Sequence, residues 1–419
     1  MNRFCLRRST LIGIVMIVFL LVLSSTKVWR NGLFWRNKID SIRMLMSLSG
    51  SRREQNHKQI KNQEHLDQFQ FPNHPCNEAV ENVVLIKTHK TGSTTLAHIV
   101  NRFGYSRKLL FLLPKDVRYG RSFIWELGST QGARDFLLPS LRYNMFTLHT
   151  TYNRKAMDTL MVPDAKYITS VRDPVEQFES AFVYYKFFLA LPERFQEANI
   201  QTAAKIEEWL RLSQFYTARY ERIVKNGDVK TPNSELYCHN SQMRDLGLDM
   251  KNQEVKETVL KHISTLEQQF NFFVITEYFD ESLIVLMREF CWNMEDILYI
   301  PENQRPDQIR TTSLPEHLRQ AIREWNSADQ LLYEQVNRTL WRKIADYGDG
   351  FQSDLEMFRQ NLKMVLKNCV KEKQDKLDFS RVKYVMKKNS PEYCKLMTVT
   401  KNQLMEKIRK RQELTESVA

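Results

Sequence analysis

Three short signatures are absent from the 419 residues. There is no C-x-x-C pair, so a cysteine-rich zinc site is not expected. There is no D-x-D triplet, which counts against a metal-dependent sugar-nucleotide transferase. There is no G-x-x-x-x-G-K-[ST], which disfavours an ordinary P-loop ATPase. No internal repeat is visible. Acidic residues are outnumbered: 49 Asp and Glu stand against 62 Lys and Arg, a formal net charge of +13. Such an excess suits anionic ligands, nucleic acid or an anionic membrane surface, although a solvated basic surface would also explain it. Much of it lies in the N-terminal stretch and the C-terminal tail.

The apolar run Leu11 to Leu23 is shorter than the ~20 residues of a typical membrane span. With Thr10 and Ser24 to Thr26 it can cross a thin bilayer. Arg3, Arg7 and Arg8 precede it, and Lys27 and Arg30 follow, so flanking charge decides little about orientation. Two readings compete: an uncleaved signal anchor, or a cleavable signal peptide with Val22 and Ser24 at its cleavage site. The anchor is the reading adopted, because the segment after it has the character of a stem. It gives a cytoplasmic tail at 1–9, an anchor at 10–26 and a polar stem at 27–78. Either reading sends the remaining chain into the secretory pathway, which argues against nucleic acid as a partner.

Of the six cysteines, Cys5 would be cytoplasmic or lost, leaving Cys76, Cys238, Cys291, Cys369 and Cys394 in an oxidising lumen. At least one must stay unpaired, and Cys369 with Cys394 is the first candidate bridge. The sequon Asn337-Arg338-Thr339 makes Asn337 a glycosylation candidate.

Four apolar runs fit buried strands: NVVLIKT (82–88), MFTLH (145–149), KYITSVRD (166–173) and FNFFVITEY (270–278), with KLLFLLP (108–114) as a possible fifth. Helical patterns lie between them, at Val175 to Leu191, Ala203 to Val224 and Glu254 to Phe270. The alternation predicts an α/β domain with a central parallel sheet over 79–347. A helical extension over 348–419 follows, with Leu355, Phe358, Leu362 and Val365 at helix spacing and KIRKRQ on a solvated face.

In parallel sheets, ligands bind beyond the carboxyl ends of the strands. After the first run come Lys87, His89, Lys90, Thr91, Gly92, Ser93, Thr94 and Thr95. Gly92 permits a tight turn, the hydroxyls and the N–H groups of 92–95 offer donors at a helix start, and Lys90 adds charge. A plainly capped helix start is the alternative. His149 ends the second run and reads as a general base or as an ordinary structural histidine. Arg172 ends the third, with Asp173 as N-cap, Pro174 at the first helical position and Glu176 at capping-box spacing. Ser180 follows about two turns into that helix. Arg172 and Ser180 fit a second phosphate grip, or Arg172 a structural pair with Asp173. Asp280 reads as another N-cap.

At these residues the chain resembles a known family. KTHKTGSTTL with VRDPVEQFESAF resembles the paired phosphosulfate-binding motifs of Golgi carbohydrate sulfotransferases. More narrowly, LIKTHKTGSTTL, VRDPVEQFESAF, EYFDESLIVLMREFCWNMEDILY and the sequon followed by LWRK resemble the galactose-3-O-sulfotransferases, over roughly Asn82 to Lys343. The resemblance implies a P-loop-like three-layer sandwich of sulfotransferase type behind a Golgi signal anchor. The implied donor is 3′-phosphoadenylyl sulfate (PAPS). Lys87 and the loop Lys90, Thr91, Gly92, Ser93, Thr94 and Thr95 would hold its 5′-phosphosulfate, and Arg172 with Ser180 its 3′-phosphate. His149 would be the base, with His89 as runner-up, and Lys90 would stand at the leaving group. The implied acceptor is the 3-hydroxyl of a galactose on a glycolipid or glycan, and no metal is required. Sulfation of another sugar, such as a uronic acid, and a silent PAPS- or glycan-binding protein are the alternatives. The sequence sets neither the acceptor nor the oligomeric state.

Overall fold

The computed structural model describes residues 78–114, 141–228, 234–301, 314–376 and 381–416. The expected tail and anchor, and all but the last residue of the stem, lie outside these. Among the described residues no helix is long and apolar enough to cross a membrane.

Four parallel strands form the central sheet: β1 (Val83–Ile86), β2 (Met145–Phe146), β3 (Lys166–Val171) and β4 (Phe272–Ile275), in the order β2-β1-β3-β4. Register is set by Val83 opposite both Met145 and Lys166, and by Ile168 opposite Phe272. β1 reads VVLI and β4 reads FFVI, and every one of these residues is buried. Apolar side chains on both faces are what a strand covered on both sides requires. The expected fifth strand is only an isolated pairing of Phe111 with Met145 at the β2 edge. The chain leaves β1 toward β2 and then crosses to β3 on the other side. The order therefore reverses between β1 and β3, and the crevice such a switch creates opens at their carboxyl ends.

The helices, in chain order, are α1 (Ser93–Ser106), α2 (Arg154–Leu160), α3 (Pro174–Tyr185), α4 (Thr202–Arg211), α5 (Ser213–Lys225), α6 (Ser241–Asp245), α7 (Lys256–Gln269), α8 (Phe279–Glu289), α9 (Met294–Ile297), α10 (Glu316–Trp325), α11 (Ser327–Tyr347), α12 (Gly350–Cys369), α13 (Glu392–Thr398) and α14 (Lys401–Glu416). In α1 the buried residues Leu96, Ile99, Val100 and Phe103 follow the helical period, so one apolar stripe faces the sheet. Full burial of each such side chain contributes roughly 1.5–3 kcal/mol.

Several expectations change. The single helix expected over Ala203 to Val224 breaks at Leu212, which sits at φ −139° and ψ 46°. The break turns Trp209 and Tyr216 into one aromatic core with Phe182, Phe187 and Tyr220. Asp280 is not an N-cap: it lies in the first turn of α8 and accepts from Tyr299 (2.8 Å) and Arg359 (3.2 Å). The tail is not purely helical, because an antiparallel hairpin, β5 (Val370–Lys376) and β6 (Arg381–Met386), follows α12. The KIRKRQ face is not wholly solvated. Ile408 and Gln412 are buried, and Arg411 donates to the carbonyls of Tyr105 and Leu109, both at 2.8 Å. Cys369 and Cys394 are bridged. Cys291 is also disulfide-bonded, and Cys238 is free and buried.

Candidate active site

The loop from Lys87 to Gly92 is stitched to the neighbouring strand ends by hydroxyls. Thr88 Oγ1 donates to the Ser170 carbonyl (2.5 Å), Thr91 Oγ1 lies 2.8 Å from Ser170 Oγ, and Ser93 Oγ donates to the Thr88 carbonyl (2.7 Å). Thr276, just past β4, donates to the Thr91 carbonyl (2.8 Å). Thr91 and Ser93 thus use their hydroxyls inside the fold. Gly92 sits at φ +70° and Lys90 at +64°, a conformation that costs a non-glycine residue about 1–3 kcal/mol. Thr95 spends its amide on the Gly92 carbonyl (3.0 Å). The amides of Gly92, Ser93 and Thr94 head α1, where N–H groups have no intrahelical acceptor. The loop therefore offers three amides at a positive helix terminus, beside Lys90.

Arg172 reaches this loop. Its Nη1 donates to the Lys90 carbonyl (3.2 Å), and Glu176 and Glu277 flank the guanidinium, each at 3.7 Å. Burial pushes the Glu277 carboxyl up, against the pull of Arg172. The Arg172 main chain is gripped from both sides by Gln242, which accepts its N–H (2.8 Å) and donates to its carbonyl (2.9 Å). Asp173 caps α3 as expected, accepting from the amides of Val175 (2.8 Å) and Glu176 (3.3 Å). Glu176 does not complete a capping box; its carboxylate lies 3.4 Å from Arg319 and 3.7 Å from Arg172.

Helix α3 turns one stripe toward the loop. Gln177 donates to the His89 carbonyl (3.1 Å), and the Lys90 ammonium lies 3.8 Å from the centre of the Tyr184 ring. Ser180 falls between these two at helical spacing, so it shares their face. Lys90, Gly92 and Arg172 are thereby brought together at the loop, and Ser180 lies on the stripe of α3 that carries Gln177 and Tyr184.

A column of rings runs from the aromatic core to the strand ends. Phe187 stacks on Tyr185 and Tyr185 on Tyr237 (5.0 Å), Tyr237 meets His89 at a tilt (3.9 Å, 31° between planes), and His89 stacks on His149 (4.3 Å, 20° between planes). Burial, and after it the charges of Lys87, His89 and Lys401, hold the His149 imidazole well below the usual histidine range; a backbone hydrogen bond with Lys87 acts the other way. Lys87 itself is 1% exposed. Asp245, at the end of α6, accepts from both the His89 amide (2.7 Å) and the His89 ring Nδ1 (2.8 Å). Helix α6 is fixed in turn by α11: Asp329 accepts from the amides of Gln242 (3.1 Å) and Met243 (2.8 Å), and burial pushes its carboxyl up to about 7.

Asp245, Gln242 and Tyr184 escaped the sequence reading, whereas Glu277, after the fourth run, reads there as structural. Asp245 lies 156 positions from His89, and nothing local in RDLGL announces a partner. Asn337 stands apart, half-buried in the middle of α11, with Thr339 donating to Glu267 (3.2 Å). Among the described residues no group of His, Cys, Asp and Glu is arranged to hold a metal ion.

A galactose-3-O-sulfotransferase family model matches residues 7–388. Galactose-3-O-sulfotransferase 3 of Mus musculus is 30% identical over 296 residues, covering 68% of this chain and 63% of the relative. Galactosylceramide sulfotransferase of Mus musculus is 32% identical over 269 residues, covering 64% of this chain and 58% of the relative. Galactose-3-O-sulfotransferase 2 of Homo sapiens is 28% identical over 304 residues, covering 70% and 69%. The chain thus spans less than two thirds of the length of the first two relatives. With the family model matched over most of its length, the chain belongs to the galactose-3-O-sulfotransferase family.

Proposed function

We propose that the protein transfers a sulfonate group from PAPS to the 3-hydroxyl of a galactose on a glycolipid or glycan, as a Golgi enzyme behind an N-terminal anchor. The observation that carries this reading is the 3.2 Å contact of Arg172 with the Lys90 carbonyl, which makes two anion grips into one crevice. A donor with phosphates at both ends needs two such grips, and a single helix terminus would not favour it over ATP. In this reading the fold is the three-layer sulfotransferase sandwich. The amides of Gly92, Ser93 and Thr94, with Lys90, hold the 5′-phosphosulfate, while Arg172 and Ser180 hold the 3′-phosphate.

The reaction is an in-line displacement at sulfur. An imidazole of the stacked His89–His149 pair at the strand ends takes the hydroxyl proton. The oxygen pair thus released forms the new S–O bond. The bond from sulfur to the bridging oxygen breaks, and its electrons remain on the departing phosphate, where Lys90 and the loop amides stabilise the charge. Positioning and electrostatics carry the work, as in phosphoryl transfer.

The test is transfer from labelled PAPS by the full chain across galactosylceramide, lactosylceramide, β-galactosyl oligosaccharides and a uronic-acid acceptor, with the sulfate position mapped. Product on a galactose 3-hydroxyl, lost in Lys90→Ala, supports the reading. Near-normal turnover by Lys90→Ala, or sulfate only on the uronic acid, overturns it. Donor binding without any turnover would identify a silent binding protein.

A further inference from the structure

We propose that Asp245 is a positioning residue that holds His89 as the proton acceptor of the reaction, with His149 as the surface His89 stacks on; this rests on the sulfotransfer reading above. A carboxylate can only accept hydrogen bonds. Asp245 Oδ2 stands 2.8 Å from the His89 Nδ1, so the proton of the neutral ring sits on Nδ1 and the lone pair on Nε2. The same oxygen takes the His89 amide at 2.7 Å, which ties the ring to the backbone of the anion-holding loop. Tyr237 and His149 close both faces of the ring at 3.9 and 4.3 Å. His89 is therefore fixed in plane, in tautomer and in distance from Lys90, the next residue in the chain.

His149 is held differently: a backbone hydrogen bond with Lys87 and the stack on His89 hold its ring, while its Nδ1 is buried without a hydrogen-bond partner among the described residues. When Nε2 of His89 takes the acceptor proton, the imidazolium formed faces the 3%-exposed Asp245 carboxylate, a pairing of opposite charges in a poorly solvated place. The acceptor oxygen keeps the electron pair and bonds sulfur, and the S–O bond to the phosphate breaks with its electrons leaving on the phosphate. The proton ends on His89, so the step balances without a further reactant.

The experiment compares kcat and donor KM of the full chain with those of His89→Gln, His149→Gln, Asp245→Asn and the double variant Asp245→Asn/His89→Gln. His89→Gln should lower kcat on the order of 10²–10⁴-fold with donor KM little changed, as loss of a general base does. His149→Gln should retain more activity than His89→Gln. Asp245→Asn should lower kcat and add no further loss in the His89→Gln background. A second readout is the imidazole nitrogen spectrum of ¹⁵N-histidine-labelled chain, with the His89 signal assigned by its loss in His89→Gln. The Nδ1–H form should dominate in the natural protein and give way to the Nε2–H form in Asp245→Asn. Equal or greater loss in His149→Gln, additive losses, or an unchanged tautomer in Asp245→Asn would overturn the proposal. A natural chain inactive on every galactosyl acceptor would instead defeat the sulfotransfer reading, and the tautomer spectrum would still decide the Asp245–His89 relationship.

Discussion

Arg172 Nη1 donates to the carbonyl of Lys90 at 3.2 Å, across 82 positions of sequence. The guanidinium holds the backbone of a residue whose φ of +64° is costly for a side-chain-bearing residue. Arg172 therefore shapes the loop as well as offering charge to a ligand. Substituting either residue should weaken binding of the donor product adenosine 3′,5′-bisphosphate, and the two losses should not add. The expected coupling is about 0.5–3 kcal/mol between Arg172→Ala and Lys90→Ala, measured by titration calorimetry as a double-mutant cycle. Additivity would mean two independent grips.

His149 should leave a mark on stability against pH. Its imidazole is held well below the ordinary value of 6.5, chiefly by burial. Below pH 6.5 the unfolded chain takes up a proton that the folded chain refuses, so unfolding free energy falls as pH falls. The stabilisation is fully present above 6.5 and drains away below it. His149→Phe should flatten this part of the profile between pH 6.5 and about 5, read from urea midpoints at each pH. A profile identical to that of the natural chain would show that His149 is not the group responsible.

Gly247 follows α6 at φ +91°, and a Cβ there would lie 2.5 Å from the Tyr152 carbonyl oxygen. That carbonyl belongs to backbone that cannot swing away, because the Tyr152 amide donates to the Asp245 carbonyl at 2.8 Å. Gly247→Ala meets both a disfavoured φ and a backbone clash, and should cost about 2–4 kcal/mol. Because the displaced segment carries Asp245, turnover should also fall in the fraction that remains folded. Activity per folded molecule equal to that of the natural chain would mean that α6 absorbs the clash without moving Asp245.

The strands and the anion loop were legible because each is a local signal. VVLI and FFVI are short apolar runs, and a glycine between a threonine and a serine at a helix start needs no distant partner to be recognised. Arg172 and Ser180 were legible as chemistry, although their meeting with Lys90 was not. The break at Leu212 was hidden because Trp209 and Tyr216 keep a helical period across it while being turned into one core. Asp245 was hidden for a different reason: an acidic residue in a short helix looks solvated until the fold lays it against His89. Glu176 had the right spacing for a capping box and still left it, because Arg172 and Arg319 compete for the same carboxylate.

The C-terminal basic stretch was misread for the same reason, and its docking gives a further prediction. Gln412 on α14 accepts from the Phe111 amide (2.9 Å) and donates to the Phe111 carbonyl (3.0 Å), so one side-chain amide closes the main chain at the β2 edge of the sheet. Phe111 is 1% exposed and Gln412 is 2% exposed, so water cannot replace the lost bonds freely. Each buried backbone group left unpaired costs about 1–3 kcal/mol. Gln412→Ala should therefore destabilise the protein by about 2 kcal/mol or more. Lys410→Ala, on the exposed face of the same helix, should stay within about 0.5 kcal/mol. Denaturant melts of the two variants check this, and equal effects would mean that α14 contributes only as a solvated surface helix.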